Sequence, residues 1–474
     1  MSPVDGGGDG RPLHILAIGM NYAPEPVGVA VYSTGLAEGL AARGHRVTWI
    51  AATPYYPSWS PDPSRPRGWS RRDEGGVRVL RCPHAIPARP TAGARIRQQA
   101  VWAAAGAAPA LARAVAAPPD VVLAVAPGLI GAPLALAVAR LCGAPAWLHV
   151  QDFEAEAAAL VSGHRRVARL ALSFERRVFG AFDVVSTITP AMRARLIAKG
   201  VAAERATELR NWAELDVIRP ARAPSPFRAA WGLEGRRVAL YSGNLGAKQG
   251  LETLVGAAAR LRSEPDLQDL DLVICGDGAA RATLEQAAAA LGPGGPRVLF
   301  RPLQPFERLD ALLSLADVHL LPQRAAAADL VMPSKLANML ASGRPVVAGA
   351  TPGTQLATEV AGCGLLTPPE DPDAFAAAIA ALARAPRMRE TLGRAARARA
   401  EARWSRRAVL DAAEAGFAAL AAGRPLPRPV DDPAGDPAEL AADAALADAE
   451  VRVGLAAERE EAAPPVRAPE IRSA

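Results

Sequence analysis

The chain has 474 residues, enough for two or three domains with cores of their own. Half of the residues are apolar and 5% aromatic, and the four cysteines, Cys82, Cys142, Cys275 and Cys363, form no CxxC pair, which argues against a disulfide framework or a cysteine zinc site. The net charge of +6 is uneven: up to Pro220 there are 25 basic against 17 acidic residues, which suits an acidic partner, an anionic membrane face or a plain arginine-rich surface.

Residues 1–12 lack the charged-then-apolar order of a signal peptide and read as a flexible tail. LHILAIG (Leu13–Gly19) is a buried strand, followed by a loop, a helix from about Val31 to Arg43, and the strand RVTWIAA. VVLAVAP, PAWLHVQD and DVVSTIT continue the same parallel sheet. Val121–Ala139 is uncharged and almost long enough to cross a bilayer. Pro127, Gly128, Gly131 and Pro133 interrupt it, so a strand, a loop and a short buried helix are expected instead. The run GHRRVARLALSFERRVFGAF places five arginines among apolar residues, either a basic amphipathic helix for an anionic membrane or an ordinary surface helix.

Ile218–Trp231, rich in Pro and Arg, marks a hinge. A second series follows: RVALYSG, DLVICGDG, RVLFRPL, DVHLLPQ and PVVAGA as strands, with Gly250–Arg262 and Ala279–Leu291 among the helices between them. The fold expected is therefore α/β, with two doubly wound parallel-sheet domains facing across a cleft. The boundaries fall at 13–217 and 218–400, followed by a crossover helix at 401–422, the last part of an arginine-rich helical stretch from Arg384 to Ala422. Residues 423–474, Pro/Asp-rich and then Ala/Glu-rich, are expected to be disordered.

Open parallel sheets bind ligands beyond the carboxyl ends of their strands, so the loops there are the places to look for chemistry. In NYAPEPVGVAVY, Gly28 lets the backbone approach a phosphate at a helix start, or simply makes a turn. In SGNLGAKQG, Gly243 and Gly246 permit tight turns and Lys248 supplies a cation for a diphosphate; GxxxxGK[ST] is absent. In MPSKLANMLASGRPVVAG, Pro333 and Ser334 start a helix whose first turn carries Lys335, a place that favours a cation only when it meets an anion. Asp152 in HVQDFEAEAA, with His149 and Glu154 nearby, can accept a proton, bind sugar hydroxyls or merely cap the next helix. Two DxD triplets, Asp269–Asp271 and Asp371–Asp373, sit before a strand and in a Pro-rich turn, and neither is read as a metal site.

Taken in order, MNYAPEPVGVAVYSTGLAEGLAARGHRV, ATPYYPSW, HVQDFEAEAA, RNWAELDVIRP, SGNLGAKQGLETLV, CGDG and MPSKLANMLASGRPVVA resemble the family-4 retaining glycosyltransferases, specifically the WcaI-type exopolysaccharide group. The resemblance runs from about Leu13 to Trp404. It implies a GT-B fold of two Rossmann-like domains and transfer of a sugar from a nucleotide-diphosphate sugar to a saccharide acceptor, lipid-linked by analogy. It implies no metal and no cofactor, no nucleic-acid partner, and a cytoplasmic enzyme peripheral to the membrane. By the same analogy Gly28, Gly243, Lys248 and Gly276 lie near the donor, Leu303 and Gln304 edge the nucleobase, and Asp152 sits by the reacting sugar. The helix around Trp404 returns to the first domain. Two departures from the family stand out. Asn244 stands where many relatives carry arginine, and Leu330 and Asn338 stand where they carry two glutamates; Ser334 and Lys335 are the substitutes offered. A sugar-nucleotide epimerase and a non-catalytic nucleotide-sugar-binding protein remain the alternatives.

Overall fold

The computed structural model describes residues 11–26, 28–64, 66, 68–89, 91–156, 165–246, 249–325 and 333–427. Lys248, Leu330, residues 1–10 of the expected flexible tail and residues 428–474 of the expected disordered one lie outside them. The chain divides into two compact units. The first takes in the residues up to Trp212 and rejoins at Trp404; the second runs from Ala213 and through Lys335–Arg403.

The first unit holds one eight-stranded sheet, β1 His14–Gly19, β2 Arg46–Ala52, β3 Ser70–Glu74, β4 Val77–Cys82, β5 Val121–Ala126, β6 Ala146–Val150, β7 Val184–Thr187 and β8 Ala206–Glu208. The order is β3-β4-β2-β1-β5-β6-β7-β8, and every pair is parallel except β3 with β4. Alternate residues face opposite ways. Leu16, Ile18, Ile50, Ala124 and Leu148 pack with Trp102 and Leu136 on one side; Ile15, Ala17, Val47, Trp49 and Trp147 pack with Leu36 and Leu40 on the other. Both faces are covered, which is why these strands read as unbroken apolar runs. β3 and β4 escaped the sequence reading because charged residues interrupt them. SRRDE forms an exposed edge, and such edges favour charge over apolar contact. β8 is only three residues long.

The uncharged Val121–Ala139 stretch resolves into β5, a 3-10 turn at Leu129–Gly131 and the helix Ala132–Cys142. Gly131 is required there, because a Cβ would come within 2.4 Å of the Trp102 ring. No helix among the described residues is long and apolar enough to cross a membrane.

The second unit holds a six-stranded, all-parallel sheet in the order β11-β10-β9-β12-β13-β14. Its strands are β9 Arg237–Ser242, β10 Leu270–Cys275, β11 Arg297–Arg301, β12 Val318–Leu321, β13 Val346–Gly349 and β14 Gly364–Thr367. The order reverses between β9 and β12, as it does between β1 and β5 in the first unit, so each sheet has a switch point where a ligand crevice opens. Ile218–Trp231 belongs to this unit, with Ile218 and Phe227 buried. The DxD carboxylates are engaged in ordinary contacts. Asp271 is buried between Arg236 and Arg297, and Asp269 pairs with Arg237. Asp371 caps the helix Pro372–Arg384, and Asp373 pairs with Arg260.

The arginine-rich segment is two helices, Pro386–Arg403 and Arg406–Ala421. The second packs on the first unit. Leu410 lies over Gly39, whose Cβ would come within 2.6 Å of it, and Phe417 meets Trp147 edge-on at 4.8 Å. Arg43 pairs with Asp411 (2.6 Å) and Glu414 (3.2 Å), fixing the helix's register.

Candidate active site

In the first unit, the carboxyl ends of β5 and β6 and the first turns of the helix Val29–Ala42 enclose a small cavity. Tyr32, Ser33, His149, Gln151, Asn211 and Trp212 are among its lining residues. His149 is buried, and burial pulls its imidazole down to about 4, so it is neutral at physiological pH. Ser186 Oγ accepts from Trp147 Nε1 at 2.7 Å and is hydrogen-bonded to His149 Nδ1 at 2.9 Å, which fixes the imidazole ring. Ser33 Oγ is buried with no hydrogen-bond partner among the described residues, an unmet polar group lining this small cavity.

Gly28 immediately precedes the helix Val29–Ala42. It has φ +68°, and its α-carbon faces open space, so main-chain groups at the helix start are accessible. Asp152, half-buried, follows β6 directly beside Gln151, and its carbonyl accepts from Glu154 N. The Glu154 side chain is occupied elsewhere, accepting from Gly128 N (2.7 Å), Leu129 N (2.9 Å) and Gln99 Nε2 (2.8 Å). It fixes the loop after β5 instead of facing a substrate.

A second carboxylate performs the same service, and sequence reasoning passed it over. Glu25, 6% exposed, accepts from Asn21 Nδ2 at 2.8 Å and from Tyr55 N and Tyr56 N at 3.1 Å each. It ties the loop before Gly28 to the loop after β2. Its position amid NYAPEP gives no periodic signal; only the pairing of two distant loops reveals it.

In the second unit, the loops after β9 and β10 interlock. Gly243 N donates to Cys275 O (2.9 Å), Leu245 N to Asp277 O (2.8 Å) and Ala280 N to Leu245 O (2.9 Å). Gly276 is pressed so closely on this strand end that a Cβ would lie 1.9 Å from Gly243 O. Lys335, at the start of the helix Lys335–Ala341, reaches over Gly243, where a Cβ would meet its Nζ at 3.0 Å. Nζ donates to Tyr241 Oη at 2.7 Å and lies 4.0 Å from that ring's centre; Tyr241 Oη in turn donates to Asn244 O at 2.7 Å. No carboxylate pairs with Lys335 among the described residues, and burial draws its ammonium down to about 7. Part of its side chain still reaches solvent.

Gly243, Asn244, Gly276 and Lys335 thus gather at one sheet end. Ser334 is exposed beside Lys335. Asn338 Oδ1 accepts from Glu214 N at 3.4 Å, Leu303 is exposed, and Gln304 Nε2 donates to Pro302 O. Gln249, whose Oε1 is buried without a partner among the described residues, sits under Gly246 and was not foreseen.

Residues 27–212 match the glycosyl transferase 4-like domain, and 226–399 match the glycosyl transferases group 1. WcaI of Escherichia coli K12, assigned to colanic acid biosynthesis as a glycosyl transferase, is 37% identical over 77% of this chain and 91% of its own length. The chain belongs to the family-4 glycosyltransferases, in the WcaI-type group. Glycosyltransferases of the GT-B fold also resemble it in structure. Sucrose-phosphate synthase from Thermosynechococcus elongatus aligns with TM-score 0.69 at 20% identity, over 86% of this chain and all of its own. Anabaena HepE in complex with UDP and glucose aligns with TM-score 0.60 at 15% identity, over 84% and 97%. For this glycosyltransferase, the two loop clusters above are where its chemistry must be sought.

Proposed function

We propose that this glycosyltransferase moves a hexosyl group from a nucleoside-diphosphate sugar to a lipid-linked saccharide in exopolysaccharide assembly, retaining the anomeric configuration without a metal. The observation that carries the donor assignment is the Lys335 ammonium poised over the Gly243 turn, unpaired with any carboxylate among the described residues. A desolvated cation with no carboxylate partner is a costly arrangement that an arriving diphosphate relieves. As the glycosidic bond to phosphate breaks, negative charge grows on the departing oxygen, and Lys335 neutralises it. It stands in for the arginine missing at Asn244, with Lys248 of the same loop as its assistant. The acceptor hydroxyl attacks from the leaving group's side and yields its proton to the departing phosphate. His149, neutral and held by Ser186, orients hydroxyls in the first unit's cavity, with Asp152 as the adjoining carboxylate.

Lys335→Ala is expected to lower kcat/KM for donor by about tenfold or more, the scale of a lost charge-assisted hydrogen bond. Lys335→Arg should recover part of it. Unchanged donor kinetics in Lys335→Ala would remove the assignment, and epimer formed from donor alone would replace transfer with isomerisation.

The setting we propose is the inner face of the plasma membrane. The helix Arg165–Ala181 turns Val178 and Phe179 inward and leaves Leu170 72% exposed beside Arg166, Arg169, Arg176 and Arg177. Leu170→Asp should reduce flotation with vesicles containing phosphatidylglycerol; equal flotation of variant and parent would count against this face.

A further inference from the structure

A second concentration of positive charge lies at the opposite end of the first sheet from the loops described above. Thr48 of β2 pairs in register with Arg78 of β4, and Arg78 faces Asp73 of β3. Paired residues share a face and alternate residues return to it, so Arg46, Arg78 and Arg71 all project from the same side of the sheet. That side is the one covered by the helix Ala92–Ala116, through Trp102, Ala110 and Ala114. Arg113, in the last turn of that helix, comes down among them.

Arg113 Nε is buried with no hydrogen-bond partner among the described residues. Burial, and then the fields of Arg78, Arg46 and Arg71, pull its guanidinium below the ordinary arginine range. His14, on the same face, is pulled down by burial and also by Arg46 and Arg113, and does not relieve the repulsion. Nearby carboxylates do little more. Asp73 lies 3.5 Å from Arg78 and is mostly exposed, Asp120 binds Arg11 and accepts from His14 N, and Glu74 is held by Arg81. Helix-end complementarity explains Arg113 alone; it does not explain three strand arginines converging on it.

We infer that Arg46, Arg71, Arg78 and Arg113 form a site for a multivalent phosphate-bearing anion, remote from the sugar-transfer machinery. Guanidinium forks match phosphate oxygens in pairs, and an anion of two or more charges would cancel the repulsion and satisfy Arg113 Nε. The same chemistry is offered by a lipid headgroup and by a soluble phosphate ester.

The test compares the full chain with the Arg46→Ser/Arg113→Ser variant in calorimetric titrations with inorganic pyrophosphate and in flotation with phosphatidylcholine vesicles containing phosphatidylglycerol. The variant should lose one pyrophosphate site, or weaken it about tenfold or more, with sugar transfer unchanged. Loss of flotation alone identifies the anion as a lipid headgroup; loss in the titration alone identifies a soluble phosphate. Arg71→Glu, on the exposed edge strand, provides a substitution that leaves the core untouched and should weaken the same signal. Identical stoichiometry, affinity and flotation in parent and variants would overturn the inference. None of these readings depends on sugar transfer, so they stand or fall apart from the function proposed above.

Discussion

Lys335 is where burial and charge conflict most directly. Its ammonium rests on the Tyr241 ring, and burial brings its pKa down to about 7 from 10.5. Between those two values the unfolded chain holds the proton and the native one does not. Stability must therefore rise with pH through this window, and the penalty is present in full below about 7. Donor-free Lys335→Met should lose this rise, which denaturant midpoints from pH 7 to 10 will measure; parallel pH profiles for variant and parent would contradict the burial of the charge. Donor binding should run the other way. A diphosphate favours the charged form, so affinity falls as pH climbs above 7 and binding at pH 8 takes up protons. Sequence alone had marked this lysine, because a cation in a helix's first turn asks for an anion. It could not show Tyr241, ninety-four positions earlier, as the platform. Glu25 and Ser33 stayed hidden for the same reason, since their significance lies in partners met, or missing, only in three dimensions.

Among the elements, those with a clear apolar run were legible and those without were not. β1, β2, β5, β6, β7, β9, β10, β12 and β13 are largely buried, β11 is half-buried but keeps the run Val298–Phe300, and all announce themselves. β4 mixes Val77 and Val79 with Arg78 and Arg81, which breaks its apolar run, while β8, with three residues, and β14, with the exposed Leu366, are edge strands whose position weakened their signal. The loop glycines were legible as permissive turns, yet the reason for Gly276 is a neighbour: the carbonyl of Gly243 occupies the space of a Cβ. Because the obstacle is backbone, it cannot rotate away. Gly276→Ala is expected to cost about 1–3 kcal/mol in urea unfolding, the usual price of overpacking, and to shift the Gly243 turn under Lys335. Donor KM should rise in step. A stable variant with parental KM would show that the two loops are not held together by this contact.

The chain as a whole closes its first unit with its last described helix. Residues from Ala213 to Arg403, apart from the short Pro333–Ser334 piece among the described ones, belong to the second unit. The first unit therefore completes its core only when Arg406–Ala421 docks and Phe417 buries against Trp147. Folding of the first unit waits on a contact 270 positions apart in sequence, a loop closure whose cost grows only slowly with length. Phe417→Ala removes the ring at the centre of that contact and should destabilise the first unit by about 3–5 kcal/mol. The consequence should be confined to one unit. Seven of the eight tryptophans lie in the first unit and Trp231 alone in the second, so tryptophan fluorescence reports chiefly on the first. In urea, the variant's fluorescence transition should move to lower concentration. Far-UV circular dichroism should split, keeping a component at the parent's midpoint from the second, untouched sheet. If both signals move together as one transition, the two units unfold as a single cooperative body and the helix stabilises the entire molecule; if neither moves, Phe417 is not the closing residue.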